Sequence, residues 1–340
     1  MKSIHGFIYC LIVLLVSAGV FAAYLSINNI GAGPGNLPQL LQGTADRPAV
    51  YRVLIPTLAK SGSHLIPPET TAALQNVPEN NMLTRAFHRI SGDQYPEEAF
   101  CVLVLLYLSL TGFAYLEKSL LRDLGYSKQE QLALPLTLLI MILPFSVHFA
   151  YIYDIPQFFL SAACLLLMYR KKWIVYLAVF AIAVLNKETS LFITFVFATY
   201  HFGRLPGKRY LLLLVSQLAI FAVLRTAITY TYRNNPGSPI LWSPVHHMEQ
   251  YQNHPLTLIV TAALFGGILF LMFTNWKRKP VFLRHASSLF GIMLILFFLA
   301  GMPMEFRVFL DALPVFGIMI FPPSGTSQSW TGKYISVQHK

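Results

Sequence analysis

Long apolar segments constrain this chain more than any other feature. Lipid offers backbone amides no hydrogen-bond partners, so a segment that crosses a membrane must be a helix of roughly 20 residues. A transmembrane barrel would show short alternating segments, whereas these segments are continuously apolar. We therefore predict an all-α polytopic membrane protein with about ten transmembrane helices. The ten segments are 5–26, 97–116, 131–152, 155–169, 173–186, 189–202, 209–231, 256–275, 286–302 and 307–321.

The composition agrees with this fold class. Hydrophobic residues make up 55% of the 340 residues and charged residues only 11%, whereas a soluble globular chain carries roughly a quarter charged residues. This composition excludes a disordered chain and argues against an ordinary soluble enzyme. The 3 cysteines lie within apolar segments and show no spacing typical of a zinc site.

The distribution of charge predicts the orientation. If the N-terminus is cytoplasmic, 16 of the 25 Lys and Arg residues fall in cytoplasmic segments, as the positive-inside rule requires, and 11 of the 14 acids fall at or near the outer side. The net charge of +11 is then a topology signal, and we expect no nucleic-acid partner. We predict a multi-pass protein of the bacterial inner membrane, with one transmembrane domain over residues 1–321 and a disordered cytoplasmic tail over 322–340.

The first helix has a second interpretation. Lys2, the apolar stretch and the small residues 17–19 resemble a secretory signal peptide. The apolar stretch is long for such a peptide, so we expect the helix to be retained.

The first outer segment, about 27–96, is too long for a simple connection. It contains two helical patterns, at 47–66 and 81–90. The first places Val50, Leu54 and Leu58 on one face, and the second places Met82, Leu83, Ala86, Phe87 and Ile90 on one stripe. We predict two amphipathic helices in the membrane interface, whose basic residues either contact lipid phosphates or a lipid-linked substrate, or serve only as anchors.

Five polar groups interrupt the apolar background on the predicted outer side. Charged groups at membrane depth are costly and usually face a cavity, so their convergence predicts a polar site. Segments 155–169, 173–186 and 189–202 are short for a full crossing, which suggests helix ends that line such a cavity. The five groups are Asp46 to Arg52, Tyr153 to Pro156, Asn186 to Thr189, Glu305 to Arg307 with Asp311, and the loop 232–255 with Trp242, His246, His247, Glu249 and His254.

Structural roles remain open for several of these residues. Asp46 and Asp154 each precede a proline near a helix start, where they could act as N-caps. Arg307 and Asp311 are four residues apart and could form a pair on one helix face. Lys187 and Glu188 are adjacent and point in different directions, so they are the hardest to explain by mutual pairing.

This arrangement resembles the GT-C superfamily of integral-membrane glycosyltransferases. The resemblance rests on a first helix, a long outer loop with an early Asp, and many spans with outer polar breaks. The segments Arg47-Pro48-Ala49-Val50-Tyr51-Arg52-Val53-Leu54-Ile55-Pro56, Tyr153-Asp154-Ile155-Pro156, Asn186-Lys187-Glu188-Thr189 and Glu305-Phe306-Arg307 are similar to elements of bacterial members. A paired-acid motif of some members is absent, since Arg47 follows Asp46.

The resemblance implies an inverting transfer of a sugar from a polyprenyl-phosphate donor to a lipid-linked or cell-envelope acceptor. The catalytic base would be an acid of the first outer loop, which by position is Asp46, with Glu188 and Asp154 as the other candidates. Such a reaction needs a carboxylate base and cations beside the leaving phosphate. The residues predicted to bind substrate are Arg47, Tyr51, Arg52, Tyr153, Lys187, Glu305, Arg307, His246 and His247.

Other functions remain as alternatives. A polysaccharide polymerase or ligase also handles lipid-linked glycans but would favour Arg and His over a carboxylate base. A secondary transporter would predict an inverted repeat and polar residues near the midplane. The sequence predicts no specific cofactor and no metal ligands, although a divalent cation stays open. P-loop, GxSxG and HExxH motifs do not occur.

Overall fold

The computed structural model describes residues 2–27, 30, 35–147, 149–238 and 243–321. Of the chain, 78% is helical, and no strand occurs in the described part, where one isolated bridge joins Arg47 and Gly237. The predicted tail 322–340 and Trp242 lie outside the described residues. The helices are α1 (Lys2–Ile27), α2 (Leu37–Gln42), α3 (Leu54–Ser63), α4 (Pro68–Gln75), α5 (Met82–Ser91), α6 (Pro96–Asp123), α7 (Lys128–Phe145), α8 (Asp154–Tyr169), α9 (Trp173–Asn186), α10 (Ile193–His201), α11 (Gly207–Thr231), α12 (Pro244–Asn253), α13 (Pro255–Phe273), α14 (Val281–Ala286), α15 (Ser288–Ala300) and α16 (Leu313–Ile320).

Several helices suggest a multi-pass membrane protein. Five segments are long and apolar enough to cross a membrane: Gly6–Ser26, Pro96–Asp123, Gly207–Thr231, Pro255–Phe273 and Val281–Ala300. Large apolar side chains on their outer faces stay exposed, among them Phe7, Leu212 and Phe270. A soluble protein would bury such a surface, so these faces are suited to lipid.

The remaining predicted crossings correspond to shorter or interrupted helices. Asp154–Tyr169 and Trp173–Asn186 are apolar but only 16 and 14 residues long. The segments predicted at 189–202 and 307–321 each divide into a 3-10 turn, Glu188–Phe192 or Phe306–Asp311, followed by α10 or α16. Helix ends therefore occur inside the bundle, where they can present polar groups.

Local sequence signals explain where helices begin and end. Ser127 and Glu130 form a capping box at the start of α7, and Asn81 and Thr84 form one at the start of α5. Each box satisfies backbone N–H groups that the first helical turn leaves free. Gly92 ends α5 in the left-handed conformation, where it approaches Pro38 so closely that an added Cβ would lie 2.9 Å from that ring.

Helices α6 and α8 form the centre of the bundle. Helix α6 packs against α1, α3, α5, α7 and α8, and α8 packs in turn against α9. Helix α8 buries residues all round its circumference, from Ile155 to Met168. A helix that is apolar on every side belongs in a core, and this central position places the first residue of α8, Asp154, inside the protein.

The predicted outer segment 27–96 is helical where the sequence predicted helices, but its buried faces differ. Helix α3 begins at Leu54, after a separate 3-10 turn over Ala49–Tyr51. The predicted face of Val50, Leu54 and Leu58 is therefore wrong: Leu58 is 42% exposed, whereas Ile55 is buried. Val50 lies in the 3-10 turn and not in α3, so the helical periodicity of α3 does not extend back to it.

In α5 the predicted stripe is correct at its centre only. Ala86, Phe87 and Ile90 are buried, as expected, while Met82 and Leu83 remain 46% and 43% exposed. These two side chains lie in the first turn of the helix.

Candidate functional site

Four of the five predicted polar groups contribute side chains to two neighbouring ion-pair clusters, which an aromatic stack joins. Asp154 starts α8, Lys187 and Glu188 lie between α9 and α10, and Glu305, Arg307 and Asp311 lie just before α16. Three helix breaks thus meet, and Arg52 joins them from the first outer segment. We refer to Arg52, Asp154, Lys187, Glu188, Arg225, Glu305, Arg307 and Asp311 as the charge network.

Asp154 lies at the centre of the charge network and is fully buried. Its carboxylate accepts hydrogen bonds from Arg307 Nη1 at 3.0 and 3.2 Å and from the backbone N–H of Tyr151 at 3.1 Å. The Lys187 ammonium lies 3.4 Å from Asp154 Oδ1 and 3.2 Å from Asp311 Oδ1. A buried carboxylate needs such compensation, because desolvation of an unpaired charge costs several kcal/mol.

Two further contacts complete this part of the network. Arg307 Nη2 pairs with Glu305, whose other carboxylate oxygen accepts the N–H of Met302 at 2.7 Å. The hydroxyl of Thr189 donates to Asp311. The pairing of Arg307 with Asp311 that the four-residue spacing suggested is therefore wrong, because residues 306–311 form a 3-10 turn and point these side chains to different partners.

An aromatic stack connects the two halves of the network. The Arg307 guanidinium lies 4.1 Å from the ring centroid of Tyr151, and Arg52 lies 4.1 Å from that of Tyr153. The two rings stack on each other at 5.2 Å with an angle of 7°. Arg52 also donates to the Tyr153 hydroxyl. Cation–π contacts strengthen in a desolvated setting, so the stack holds two cations at fixed positions on either side of the tyrosines.

Glu188 lies at the accessible edge, with its side chain 35% exposed. It accepts from Arg52 Nη2 at 3.0 Å, and Arg225 Nη2 lies 3.8 Å from its other oxygen. Burial alone would raise the pKa of Glu188, but Arg52 and Arg225 outweigh it and lower the pKa to about 2. Adjacent Lys187 and Glu188 thus pair with different partners, as their spacing predicted.

A cavity of about 200 Å³ adjoins this edge, and Arg52 belongs to both. Arg52 is only 8% exposed, and its Nε atom is buried with no hydrogen-bond partner among the described residues. Lys60, one turn along α3 from Pro56, adds a second cation to the lining. The cavity is lined by Leu40, Leu41, Val50, Arg52, Val53, Pro56, Thr57, Lys60 and Tyr232.

Asp46 is exposed, and within the described part of the chain its carboxylate has neither a hydrogen bond nor an ion pair. The expected N-cap is absent, because the following 3-10 turn has no side-chain cap. The backbone around Asp46 is nevertheless fixed. The amide of Asn235 donates to the carbonyls of Gly43 and Ala45 at 2.8 and 3.0 Å, and the Arg47 N–H donates to the Pro236 carbonyl at 2.8 Å.

Arg47 itself is a structural contact. Its guanidinium donates to the carbonyls of Arg233 and Gly237 at 3.1 and 2.7 Å. Gly237 has a φ of +84°, and a Cβ there would lie 2.6 Å from the Arg47 carbonyl oxygen, so only glycine fits. Two outer segments are thereby joined beside Asp46.

The two predicted histidines lie on α12, in a region where the sequence suggested a loop. His246 is exposed, with Glu249 as its neighbour at 3.7 Å. His247 is buried, and its Nε2 atom is 2.9 Å from the carbonyls of both Phe297 and Gly301. Hydrogen bonding to the end of α15 is a structural role, and neither histidine contacts the charge network in the described residues.

Tyr51 is buried, and its hydroxyl lacks a partner. Its carbonyl accepts from Arg225 Nη1 at 3.3 Å, which places it beside Glu188. Arg225 was not predicted as a site residue, although a cation in the interior of the apolar segment 209–231, far from the basic residue Arg209 at its start, is a recognisable signal. Tyr151 was also missed, because nothing in its local sequence distinguishes it. Thr189 belongs to the predicted polar group Asn186 to Thr189 but was given no role, and Lys60 was expected only among the basic residues of the first interfacial helix.

The described residues contain no group of three or more His, Cys, Asp or Glu side chains positioned for a metal ion. The acids of the charge network are held by Lys and Arg instead. Comparison with protein-family models, curated proteins and solved structures finds no match for this chain. Arguments about function therefore rest on the geometry of the site.

Proposed function

We propose that this protein is a membrane glycosyltransferase of the GT-C type, which moves a sugar from a polyprenyl-phosphate donor to a lipid-linked or cell-envelope acceptor at the outer face of a bacterial inner membrane. The observation that carries the proposal is a small cavity lined by the cations Arg52 and Lys60, with the exposed carboxylate of Asp46 on the chain segment that leads into the lining. In this proposal α7, α8, α9, α10 and α16 are further membrane segments, which brings the crossings to about ten, and α3 and α5 lie in the membrane interface.

Arg52 and Lys60 are suited to hold the donor phosphate. Both line the cavity, and the free Nε of Arg52 is a donor without an acceptor. Arginine forms bidentate contacts with phosphate, and cations beside the leaving phosphate stabilise the charge that develops there. The oxygen of the acceptor hydroxyl would attack the anomeric carbon, and the bond from that carbon to the phosphate oxygen would break.

Among the three candidate bases, Asp46 is favoured because its carboxylate has no hydrogen bond and no ion pair among the described residues. Asp154 is held by Arg307, Lys187 and a backbone N–H, and Glu188 is held by two arginines with a pKa of about 2. Asp154 is fully buried, so an acceptor hydroxyl cannot reach it, and the low pKa of Glu188 makes that residue a poor acceptor of a proton at neutral pH. Asp46 is exposed on a fixed backbone. We infer that Asp46 takes the proton of the acceptor hydroxyl, and that Asp154 positions Arg307 and Lys187.

The proposal can be tested by mass spectrometry of the lipid-linked glycans in a strain from which the gene for this protein is deleted. We expect a lipid-linked sugar to accumulate, and the wild-type gene but not Asp46→Asn or Arg52→Gln to restore the normal profile. Glu69→Gln, which changes an exposed acid in the first turn of α4, is the matched control and should restore it. All variants should insert into membranes at wild-type amounts.

Two results would contradict the proposal at different levels. An unchanged glycan profile in the deletion strain would refute the activity itself. Full complementation by Asp46→Asn would leave the activity in place and refute the choice of base.

A further inference from the structure

Three connections between helices come together at the end of the bundle where the sequence predicts the cytoplasm. They are the α8–α9 turn, the α10–α11 connection and the segment between α13 and α14. The Tyr200 ring joins them: its centroid lies 6.5 Å from that of Tyr169, 4.9 Å from Phe282 and 5.9 Å from His285. The charged residues of the three connections therefore share one surface.

This surface carries a concentration of exposed cations, which we call the basic end. Arg170 pairs with Asp123 at 2.5 Å; the other seven have no ion pair among the described residues. The basic end consists of Arg170, Lys171, Lys172, Arg204, Lys208, Arg209, Lys277 and Arg278.

Arg204 contacts groups of the protein that do not neutralise its charge. Its Nη2 atom lies 3.5 Å from the His285 Nε2 atom, and its Nη1 atom donates to the Tyr200 carbonyl. Because no carboxylate pairs with Arg204 among the described residues, its charge favours an anion from outside the protein.

The basic end also lies at the boundary of the apolar surface. Ile174 is 87% exposed and directly follows the α8–α9 turn, Phe202 is 75% exposed beside Arg204, and Leu211 is 59% exposed beside the basic start of α11. Exposed apolar side chains next to exposed cations match a membrane surface, where acyl chains meet headgroups.

We propose that the basic end binds the headgroups of anionic phospholipids, with Arg204 and Lys171 on neighbouring connections as principal contacts. Basic pockets between transmembrane helices on the cytoplasmic side recognise such lipids, and each basic residue near an anionic surface contributes about fivefold in affinity. This binding is separate from sugar transfer and would hold even if the proposed activity were wrong.

The test compares purified full-length protein with phosphatidylglycerol and with phosphatidylcholine, by native mass spectrometry and by fluorescence with labelled lipids. We expect tighter retention of phosphatidylglycerol, which weakens as salt screens the charges. The triple variant Lys171→Gln, Lys172→Gln, Arg204→Gln should bind phosphatidylglycerol roughly 100-fold more weakly, since three cations are lost.

Arg122→Gln is the matched control on the same side. Arg122 is exposed but already lies 3.5 Å from Asp123, so its loss should leave lipid affinity unchanged. Equal retention of both lipids, or equal affinity of the triple variant and the wild type in folded protein, would overturn the proposal. Competition by inorganic phosphate at the same concentration as the lipid would also overturn it, because the ligand would then be a free anion.

Discussion

Replacing Lys187 by methionine tests whether the charge network holds the helix breaks together. Lys187 is 2% exposed and contacts Asp154 and Asp311, so the variant removes a buried cation between two carboxylates. Asp154 keeps both contacts with Arg307 and the N–H of Tyr151. Asp311 keeps only the Thr189 hydroxyl. The variant therefore removes electrostatic stabilisation mainly from the Asp311 carboxylate.

The expected magnitude follows from this asymmetry. Removal of one partner from a buried ion pair costs about 3–5 kcal/mol, and the contacts that Asp154 retains place the expected loss near 3 kcal/mol. This corresponds to an unfolding midpoint lower by roughly 4 °C, since the unfolding entropy of 340 residues is about 0.7 kcal/mol per degree. Adding Asp311→Asn should return about 2 kcal/mol, because the uncompensated carboxylate is then gone.

The assay is equilibrium unfolding in mixed micelles, followed by circular dichroism, for both single variants and the double variant. Lys128→Met removes an exposed cation at the start of α7 and should change stability by less than about 0.5 kcal/mol. A Lys187→Met loss below about 1 kcal/mol, or a double variant no more stable than Lys187→Met alone, would refute the reasoning.

Three other perturbations test separate parts of the structure. Glu188 has a pKa of about 2 against an ordinary 4.5, so the stability that its charge contributes is present above pH 4.5 and lost as pH falls toward 2. The difference in free energy of unfolding between wild type and Glu188→Gln, measured by denaturant titration, should therefore disappear over that range. Glu188→Gln should also strengthen binding of inorganic phosphate several-fold by calorimetry, since Arg52 loses its competing carboxylate. Asn235→Ala should cost about 1–2 kcal/mol in the same unfolding assay through two lost hydrogen bonds, whereas exposed Asn234→Ala should cost almost nothing. The hydrogen bonds of His88 with Asp93 and with the Val77 carbonyl raise its pKa. We therefore expect the wild type to show more hydrogen-exchange protection than His88→Gln at pH 6. This difference should vanish as pH rises through the raised pKa.

Local sequence determines the helices well, because apolar length and capping act within a few residues. The apolar segments match helices or helix pairs, and Ser127 with Glu130 marks the start of α7 as a capping box should. The face of α3 was wrong for the same local reason: residues before Leu54 belong to another turn, and periodicity continued across it gives the wrong phase.

The members of the site are recognisable one by one, whereas their partners are not. A charge inside an apolar segment is conspicuous, so Asp154, Lys187 and Arg307 could be selected from the sequence. Which acid pairs with which base depends on how three helix breaks pack together, and these breaks are distant in sequence. Lys187 and Asp311, for example, are 124 residues apart. The spacing of Arg307 and Asp311 suggested a helical pair, and tertiary packing assigned both to other partners.

The balance of charge within the network limits how readily the site can bind an anion. Four cations, Arg52, Lys187, Arg225 and Arg307, face four carboxylates, so the network as a whole is neutral. In the proposed reaction, the donor phosphate would therefore compete with a carboxylate for its cation. The carboxylates of Asp154 and Asp311 are buried and cannot move without breaking several contacts, whereas the Glu188 side chain is 35% exposed. We therefore expect the donor phosphate to displace Glu188, and not Asp154 or Asp311, by taking its place at Arg52.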